Sequence, residues 1–300
     1  MSFSTLFFAI VLALASLHMV TSTRSSGAGP GSTTANSIEE QTNREKNIVK
    51  AGVSRGLEEC QRLFKDQVWD CSFYNKSVNG ELPDFVQRTL PYANKETALL
   101  HAITAAGIFQ EIISQCDANK IIDCSCDKKG RRSPGCKDKL SFAERTTLRL
   151  LTVRRPWNDE RRKIDTDNQQ VGIKVFKKSY NRNCPRARKN CNTFQDVANE
   201  LKNKYDSAIN KTNKPLSAGV FQRNTMQVLT YRDPSPDYCV RNVTAGSPGL
   251  KERVCGNSGR KTRQCRSLCR RCGLKLKRVN CTNCSVKNTV TVCKQKNPKH

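Results

Sequence analysis

The stretch KETALLHAITAAGIFQEIISQCDANKIIDCSC, residues 95–126, carries the only long apolar helix pattern that follows the first 22 residues. Leu99, Ile103 and Ala106 recur at helical spacing, and the remaining faces are apolar as well. A helix that is hydrophobic on nearly every side is buried in protein or in a membrane. Polar side chains interrupt the run well short of a bilayer span, at His101, Gln110 and Glu111. The pattern therefore predicts a central core helix from Glu96 to Cys116.

Gly107 stands inside this predicted helix. A glycine in a helix interior costs about 1 kcal/mol relative to alanine, so its presence indicates that another backbone approaches closely. The helix leads directly into a cluster of cysteines that can close two short loops: Cys116, Cys124, Cys126 and Cys136.

The amino terminus has the features of a secretory signal. Residues 1–22 contain an apolar run from Leu6 to Leu17, then small residues, and the first basic residue is Arg24. The run is too short for a membrane anchor. We therefore expect a protein that is exported to the extracellular space or matrix, without stable membrane insertion.

Cysteine use agrees with export. Sixteen cysteines, an even number, all follow residue 22, as expected for a disulfide-bonded protein of an oxidising compartment. Three Asn-x-Ser/Thr sequons are candidate glycosylation sites, at Asn75, Asn210 and Asn242. Two weaker sequons, at Asn280 and Asn283, have cysteine as their middle residue.

The net charge of +27 predicts anionic partners outside the cell, such as heparan sulfate or other sulfated glycans. The same charge would attract nucleic acid, but the expected export and the disulfides argue against a nucleic acid partner. Aromatic residues make up only 6% of the chain, so stacking platforms for single strands are not expected. The basic run from Arg253 to Lys277 is a candidate heparan sulfate site, with a merely solubilising face as the alternative of equal weight.

Further helices are expected around the core helix. Residues 23–44 are rich in Ser, Gly and Thr and predict a flexible leader, after which an amphipathic helix runs from Glu45 to Phe64. Other helical patterns cover residues 142–153, 171–180 and 194–208.

The charge-dense residues 154–167 predict a solvated surface segment. Residues 233–237, DPSPD, predict a boundary, and the cysteine-rich tail beyond it needs disulfides because it has few large apolar residues.

No catalytic or cofactor site is predicted. The three histidines lie in the signal, the core helix and the carboxyl terminus, so no Cys/His or Ser/His/Asp arrangement with a base can be assembled. The pairs Cys269/Cys272 and Cys281/Cys284 have spacings that zinc sites use, but export and the flanking Arg and Lys residues favour disulfides. We expect a protein that is not an enzyme and holds no cofactor or metal.

Several segments resemble the Wnt family of secreted signalling proteins, in order and in spacing. They are ECQRLFKDQVWDC, ETALLHAITAAG, CSCD, NELKNKYDSA, SPDYC and the terminal CxxC-x8-CK. The match runs from Val49 to Lys294, nearly all of the chain after the signal. The segment RSLCRRCG is most similar to the Wnt-8 and fly D-type branch.

The resemblance implies a mainly α-helical amino-terminal domain with disulfide-closed hairpins and a small cysteine-rich β-hairpin carboxyl-terminal domain. After the signal (1–22) and leader (23–44), the helical domain would span residues 45–209, with a thumb hairpin at 180–194. A linker would cover residues 210–236 and the cysteine-rich domain residues 237–300, which carries a finger hairpin. In the family, the tips of thumb and finger grip the cysteine-rich domain of a Frizzled receptor.

The thumb loop departs from the family pattern. The family attaches a lipid to a Ser within a Cys-His-Gly-Val-Ser-Gly-Ser-Cys loop, whereas here the loop from Cys184 to Cys191 has Arg188 at that position and contains no hydroxyl residue. The resemblance therefore implies no lipidation of this loop. Arg186, Arg188 and Lys189 are candidate receptor contacts, and the alternative is a solvated basic turn that only closes the hairpin.

The family pattern also implies disulfide pairings. The pairs are Cys60–Cys71, Cys116–Cys124, Cys126–Cys136, Cys184–Cys191 and Cys255–Cys265, with Cys239–Cys272 and Cys269–Cys293 as pairs whose partners can exchange. Cys281 and Cys284 have lost their family partners, because the finger is shortened, so they pair with each other or leave a free thiol.

Three functions follow from these features. The leading hypothesis is a Wnt-like ligand without a lipid that binds a Frizzled-type receptor, with an LRP-type co-receptor as a second candidate partner. A non-signalling antagonist or decoy of the same receptors is the first alternative. A glycan-binding matrix protein, in which the Wnt fold serves only as a scaffold, is the second.

Overall fold

A computed structural model of the chain describes residues 31–72, 92–124, 138–152, 159–183, 193–211, 228–255, 259–280 and 289–295. The chain divides into two units between Thr42 and Asn43. The second unit contains both the helical core and the disulfide-rich carboxyl-terminal part.

The helices are α1 (Gly31–Phe64), α2 (Lys95–Asp117), α3 (Lys139–Leu151), α4 (Asp159–Asn183), α5 (Phe194–Asp206) and α6 (Gly259–Arg271). A short 3-10 turn, Ile122–Cys124, follows α2. The strands are β1 (Ile209–Asn210), β2 (Thr230–Tyr231), β3 (Val254–Cys255), β4 (Leu274–Asn280) and β5 (Thr289–Gln295).

Helix α2 is the centre of the fold, as the sequence predicts. Seventeen of its 23 residues are buried, and α3, α4 and α5 all pack against it. Among the described residues it is the one helix long and apolar enough to cross a membrane, yet 83% of that window is buried inside the protein. Its first turn is capped by Asn94, whose Oδ1 accepts a hydrogen bond from the backbone N–H of Thr97 at 2.9 Å.

Two glycines allow neighbouring helices to cross α2 at backbone contact. A Cβ atom added at Gly107 would lie 2.1 Å from the carbonyl oxygen of Gly52 on α1, which confirms the predicted close approach. On α4, a Cβ atom at Gly172 would lie 1.9 Å from the carbonyl oxygen of Ala102. The core is thus assembled around crossings that have no room for a side chain.

Two helices are longer than the sequence pattern predicts. Helix α1 begins at Gly31, so residues 31–44 are helical and the prediction of a flexible leader is wrong for them. This segment lacks an apolar stripe, and its Glu, Gln and Arg residues are good helix formers that a periodicity search does not detect. Helix α4 begins at Asp159, within the stretch expected to be a solvated surface, and there it buries Arg161, Ile164 and Asp165.

The segment expected to mark a boundary is fastened to the start of α2. The backbone N–H groups of Arg232 and Asp233 both donate to the carbonyl oxygen of Ala93, at 2.8 and 3.1 Å. The Asp233 carboxylate accepts from the Ala93 N–H at 2.6 Å. Asn94 Nδ2 donates to the Tyr238 hydroxyl at 3.2 Å. Backbone and side-chain hydrogen bonds therefore hold this segment in a fixed position.

Glu96 strengthens the same junction, because its buried carboxylate accepts two hydrogen bonds. The Tyr205 hydroxyl on α5 donates at 2.9 Å, and the Ser235 hydroxyl donates at 2.6 Å. Burial and the adjacent Glu96 charge raise the pKa of Tyr205 above its usual value, so the phenol stays a donor. Strand β2 lies nearby and pairs in parallel with β1.

The carboxyl-terminal part is a three-stranded sheet in the order β3-β5-β4, covered by α6. Its core is four cysteines with Leu250 and Leu268, which agrees with the expectation that this tail depends on disulfides. Helix α6 was not predicted. The sequence contained a signal for it, since its buried positions recur at helical spacing: Cys265, Leu268 and Cys269.

Disulfides join Cys60 to Cys71, Cys116 to Cys124, Cys239 to Cys272, Cys255 to Cys265, and Cys269 to Cys293. These are the pairings that the family resemblance implies. Four cysteines of the implied scheme, Cys126, Cys136, Cys184 and Cys191, lie outside the described residues, as do Cys281 and Cys284.

Disulfide mapping tests this arrangement. The sulfurs of Cys255, Cys265, Cys269 and Cys293 lie within 4.8 Å of one another, so exchanged pairs would need little movement. Proteolysis of the secreted, unreduced protein in acid should release a peptide pair linked through Cys255–Cys265 and another linked through Cys269–Cys293. A dominant Cys255–Cys293 or Cys265–Cys269 link would contradict the structure.

Candidate functional site

The predicted thumb has a rigid base in the helical core. Its two flanking helices are α4, which ends at Asn183, and α5, which begins at Phe194. On α4, the ring of Phe176 packs between Phe109 of α2, at a centroid distance of 5.4 Å, and Tyr180, at 6.3 Å. This aromatic row fixes the last turns of α4 against the core.

Lys139 connects the base of the thumb to the end of α2. Its ammonium group donates to the Asp117 carboxylate and, at 3.0 Å, to the Tyr180 hydroxyl. Partial burial disfavours the charged form of Lys139, but the interactions with Asp117 and Tyr180 favour that form more strongly. The pKa of Lys139 is therefore raised above its usual value. At the other side of the loop, the Asp196 carboxylate accepts from the Thr193 N–H at 2.9 Å at the start of α5.

The loop between these helices, residues 184–192, lies outside the described residues. It contains the candidate receptor contacts Arg186, Arg188 and Lys189, so the structure places their supporting helices and not the contacts themselves.

The predicted finger likewise has a described base. Strands β4 and β5 pair antiparallel over their whole length, from Leu274 opposite Gln295 to Asn280 opposite Thr289. The Cys269–Cys293 disulfide ties β5 to α6. The connecting residues 281–288, which include Cys281 and Cys284, lie outside the described residues.

Arg253 fixes the carboxyl-terminal part to the loop that follows α1. Its guanidinium donates to the carbonyl oxygens of Lys65 at 2.8 Å and Gln67 at 2.7 Å. It also forms an ion pair with Asp70 at 2.8 Å. Because a planar guanidinium presents several donors in a fixed geometry, these contacts orient the finger base relative to the helical core. The sequence analysis placed Arg253 in the basic run up to Lys277, a candidate heparan sulfate site or solubilising face, and missed this role.

A charged cluster is buried between α2 and α4. Arg161 Nε donates to Asp165 Oδ1 at 3.0 Å, and His101 Nε2 lies 3.3 Å from the same oxygen without a well-aligned hydrogen bond. Burial opposes ionisation of the carboxyl group, but the neighbouring His101 and Arg161 more than offset it, so the pKa of Asp165 falls to about 2. His101 is therefore a core residue, as predicted, and Asp165 is its charged neighbour.

The sequons differ in exposure. Asn242 is exposed, and its Oδ1 accepts from the Ala245 N–H at 3.0 Å in a tight hairpin that pairs Asn242 with Ser247. Asn210 is half-buried in β1, and Asn280 is exposed at the end of β4. Asn75 and Asn283 lie outside the described residues.

Comparisons with known proteins agree with this architecture. The model of the Wnt family matches residues 32–295. Protein Wnt-8a of Danio rerio is 28% identical over 265 residues, covering 76% of this chain and 72% of the relative. Protein Wnt-8b of the same organism is 29% identical over 260 residues, covering 75% of this chain and 71% of the relative.

A solved structure has the same fold. A chain in the structure of human WLS in complex with WNT8A matches with a TM-score of 0.57 and 23% identity, covering 88% of this chain and 96% of that one. The Wnt-8 proteins among the relatives agree with the branch that RSLCRRCG predicts. With a family match over most of its length, a central helix and a disulfide-bonded finger base in the expected order, this chain belongs to the Wnt family.

Proposed function

We propose that this chain is an extracellular Wnt ligand that binds the cysteine-rich domain of a Frizzled-type receptor without an acyl group. Membership of the Wnt family supports a signalling ligand rather than an enzyme. The observation that carries the proposal is the residue at the family's lipid position, where Arg188 replaces the Ser.

Without the lipid, the affinity of the loop for the receptor must come from other contacts. Each buried CH₂ of an acyl chain contributes about 0.8 kcal/mol, so a long chain would supply a large apolar term that this loop lacks. Three cations within four residues, Arg186, Arg188 and Lys189, offer electrostatic contacts in its place. Binding should therefore be weaker than that of an acylated ligand and should fall with ionic strength.

The helical base favours a positioned thumb loop. The helix before the loop, α4, is held by the aromatic row at Phe176 and by the contact of Lys139 with Tyr180. A loop carried by a rigid scaffold loses less entropy on binding than a free segment. An LRP-type co-receptor is the second partner that we propose, on the basis of membership of the Wnt family.

Receptor binding tests the proposal directly. Secreted full-length protein is passed over an immobilised Frizzled cysteine-rich domain at low and at physiological salt. We expect saturable binding that weakens about tenfold or more in the double variant Arg186→Glu/Arg188→Glu, because each substitution replaces an attraction with a repulsion. The matched control is Lys46→Glu/Lys50→Glu, an exposed pair on α1 that should leave binding unchanged.

The outcome separates the candidate functions. Absence of binding at micromolar protein would exclude both the ligand and the antagonist hypotheses. Equal losses in the two double variants would show that only net charge matters and would remove the loop from the proposal. Intact mass of the secreted protein should show no acyl adduct, and a β-catenin reporter then distinguishes an agonist from an antagonist.

A glycan-binding matrix protein is the second candidate, which the charge distribution supports. Residues 237–300 contain sixteen basic and two acidic residues, a net charge of +14 out of +27 for the whole chain. Heparan sulfate is an extracellular polyanion whose sulfate groups can meet such a surface. This function is compatible with receptor binding, because the thumb and the basic surface occupy different parts of the sequence.

A further inference from the structure

Strand β4 lies at the edge of the carboxyl-terminal sheet. The sheet has the order β3-β5-β4, and β4 pairs with β5 along all seven of its residues, Leu274–Asn280. On the other side of β4, alternate residues direct their backbone N–H and C=O groups away from the sheet. No residue in the described part of the chain forms a hydrogen bond with these outward groups. The edge therefore presents a row of backbone donors and acceptors about 20 Å long.

The two faces of β4 differ in character. Leu274 and Leu276 point towards α6, because both pack against the cysteine core beneath that helix. Lys275 and Lys277 alternate with them and are exposed, so they point to the opposite face, about 7 Å apart along the strand. Neighbouring side chains on paired strands lie on the same face of a sheet. A strand added to this edge would therefore place alternate side chains beside the leucines and the others beside the lysines.

The face towards α6 has room for the side chains of an added strand. A groove of about 710 Å³ lies between α6 and β4, with Leu274 and Leu276 on one wall. Arg266 and Arg270 line the wall that α6 provides, and the aliphatic stems of arginines are apolar surface. Removing apolar side chains from water into such a groove is favourable. Alternate positions of the added strand are therefore expected to be apolar.

Charge determines which strand can pair with this edge. Lys275, Lys277 and Arg278 are exposed, and among the described residues no carboxylate forms an ion pair with them. Glu252, one of the two acidic residues in residues 237–300, pairs instead with Lys294 at 2.6 Å. Pairing of β4 with β4 of a second copy would bring cations of both chains together, which is unfavourable. An acidic strand would place carboxylates opposite the lysines and gain their attraction.

We propose that the free edge of β4 binds an extended acidic segment of another extracellular protein by β-strand addition. The segment forms a fourth strand, with apolar side chains in the groove and carboxylates beside Lys275 and Lys277. In this binding mode, backbone hydrogen bonds supply affinity and the alternate side chains supply specificity. The edge is separate in sequence from the thumb loop at residues 184–192, so it is a partner surface beyond the proposed receptor contact.

A synthetic peptide tests the site on the secreted full-length protein. The probe is a labelled seven-residue peptide that alternates glutamate with valine and has glutamate at both ends. We expect saturable binding by fluorescence anisotropy, together with slower amide hydrogen exchange in Leu274–Asn280. A peptide of the same composition with its valines grouped together should bind about tenfold more weakly, because it cannot separate apolar and acidic side chains onto two faces.

Backbone methylation of the peptide tests strand pairing without a change of charge. One version carries methyl groups on the valine nitrogens and the other on the glutamate nitrogens. Alternate N–H groups of a strand point to opposite edges, so only one of the two sets can face β4. We expect that one version loses binding about tenfold or more, because several hydrogen bonds are lost together, while the other version binds better than it does.

Reversal of charge on β4 tests the choice of partner. The variant Lys275→Glu/Lys277→Glu should bind the acidic peptide about tenfold more weakly and should gain binding to a peptide that alternates lysine with valine. That gain also shows that the variant sheet is folded. The matched control Lys46→Glu/Lys50→Glu makes the same change of charge on an exposed part of α1, and it should bind both peptides as the wild type does.

Three results would overturn the assignment. Equal affinity for the alternating and the grouped peptide would show that charge alone determines binding. Full binding of both methylated peptides would exclude strand pairing. Absence of binding at millimolar peptide would show that the cations of β4 only prevent pairing between copies. The thumb variant Arg186→Glu/Arg188→Glu should bind the peptide as the wild type does, so failure of the receptor proposal and failure of this site are distinguishable.

Discussion

Replacing Gly172 with alanine should destabilise the protein by about 2 kcal/mol and lower the amount that is secreted. The added methyl group would lie 1.9 Å from the carbonyl oxygen of Ala102, so α4 and α2 must separate. Overpacking of this kind costs about 3 kcal/mol, and alanine recovers about 1 kcal/mol through its better helix propensity. The midpoint of thermal unfolding should therefore fall by about 4–8 °C.

The control for this experiment is Lys163→Ala, an exposed position on the same helix, which should leave the thermal midpoint nearly unchanged. Gly107→Ala should reproduce the effect of Gly172→Ala, because its methyl group would lie 2.1 Å from the carbonyl oxygen of Gly52. A stabilised Gly172→Ala protein would show that the helices separate at little cost, and it would contradict the close crossing.

Replacing Asp165 with asparagine should be more damaging, with a loss of about 3–5 kcal/mol at neutral pH. Asparagine keeps the shape of the side chain but removes its charge, so the buried guanidinium of Arg161 loses its ion pair with Asp165. Urea unfolding with disulfides intact measures the change in the free energy of unfolding. The control is Asp206→Asn, which removes an exposed ion pair with Lys202 and should cost less than about 1 kcal/mol.

The same group predicts how stability depends on pH. The pKa of Asp165 is about 2 in the folded protein and 3.8 as an ordinary carboxyl group. A lowered pKa means that the stabilisation is complete above about pH 4 and is lost as the pH falls towards 2, for a total of about 2 kcal/mol. The difference in stability between wild type and Asp165→Asn should shrink over this range, and a constant difference would contradict the ion pair.

Much of the fold could be predicted from local features of the sequence. The apolar pattern of residues 95–126 located α2, and Gly107 indicated a backbone crossing that the structure confirms. Order and spacing of short segments identified the family, and the family match over residues 32–295 confirms it. The amino-terminal part of α1 escaped detection because a helix without an apolar stripe has no periodic signal.

The candidate sites were less predictable from the sequence. The letter for an arginine or a lysine does not show whether its side chain is buried, bridges two segments or is exposed. Arg161, Arg253 and Arg266 all belong to charge-rich stretches of the sequence. In the structure the first is buried beside Asp165, the second bridges to the loop after α1, and the third lines an exposed groove. Arg161 and Arg253 take these roles because residues far away in the chain lie beside them, His101 next to the Arg161–Asp165 pair and Asp70 next to Arg253. Local sequence does not encode that proximity.

The sequence alone determined the family, the even set of cysteines and the core helix, and it predicts an export signal and a thumb loop without lipid at Arg188. Each of these is a property of residue type or short-range spacing. The tertiary structure decided which charges are paired across the chain, because those pairs form only where distant segments meet, as Arg253 meets Asp70. It likewise placed α6 against the sheet, where the Cys269–Cys293 disulfide joins α6 to β5.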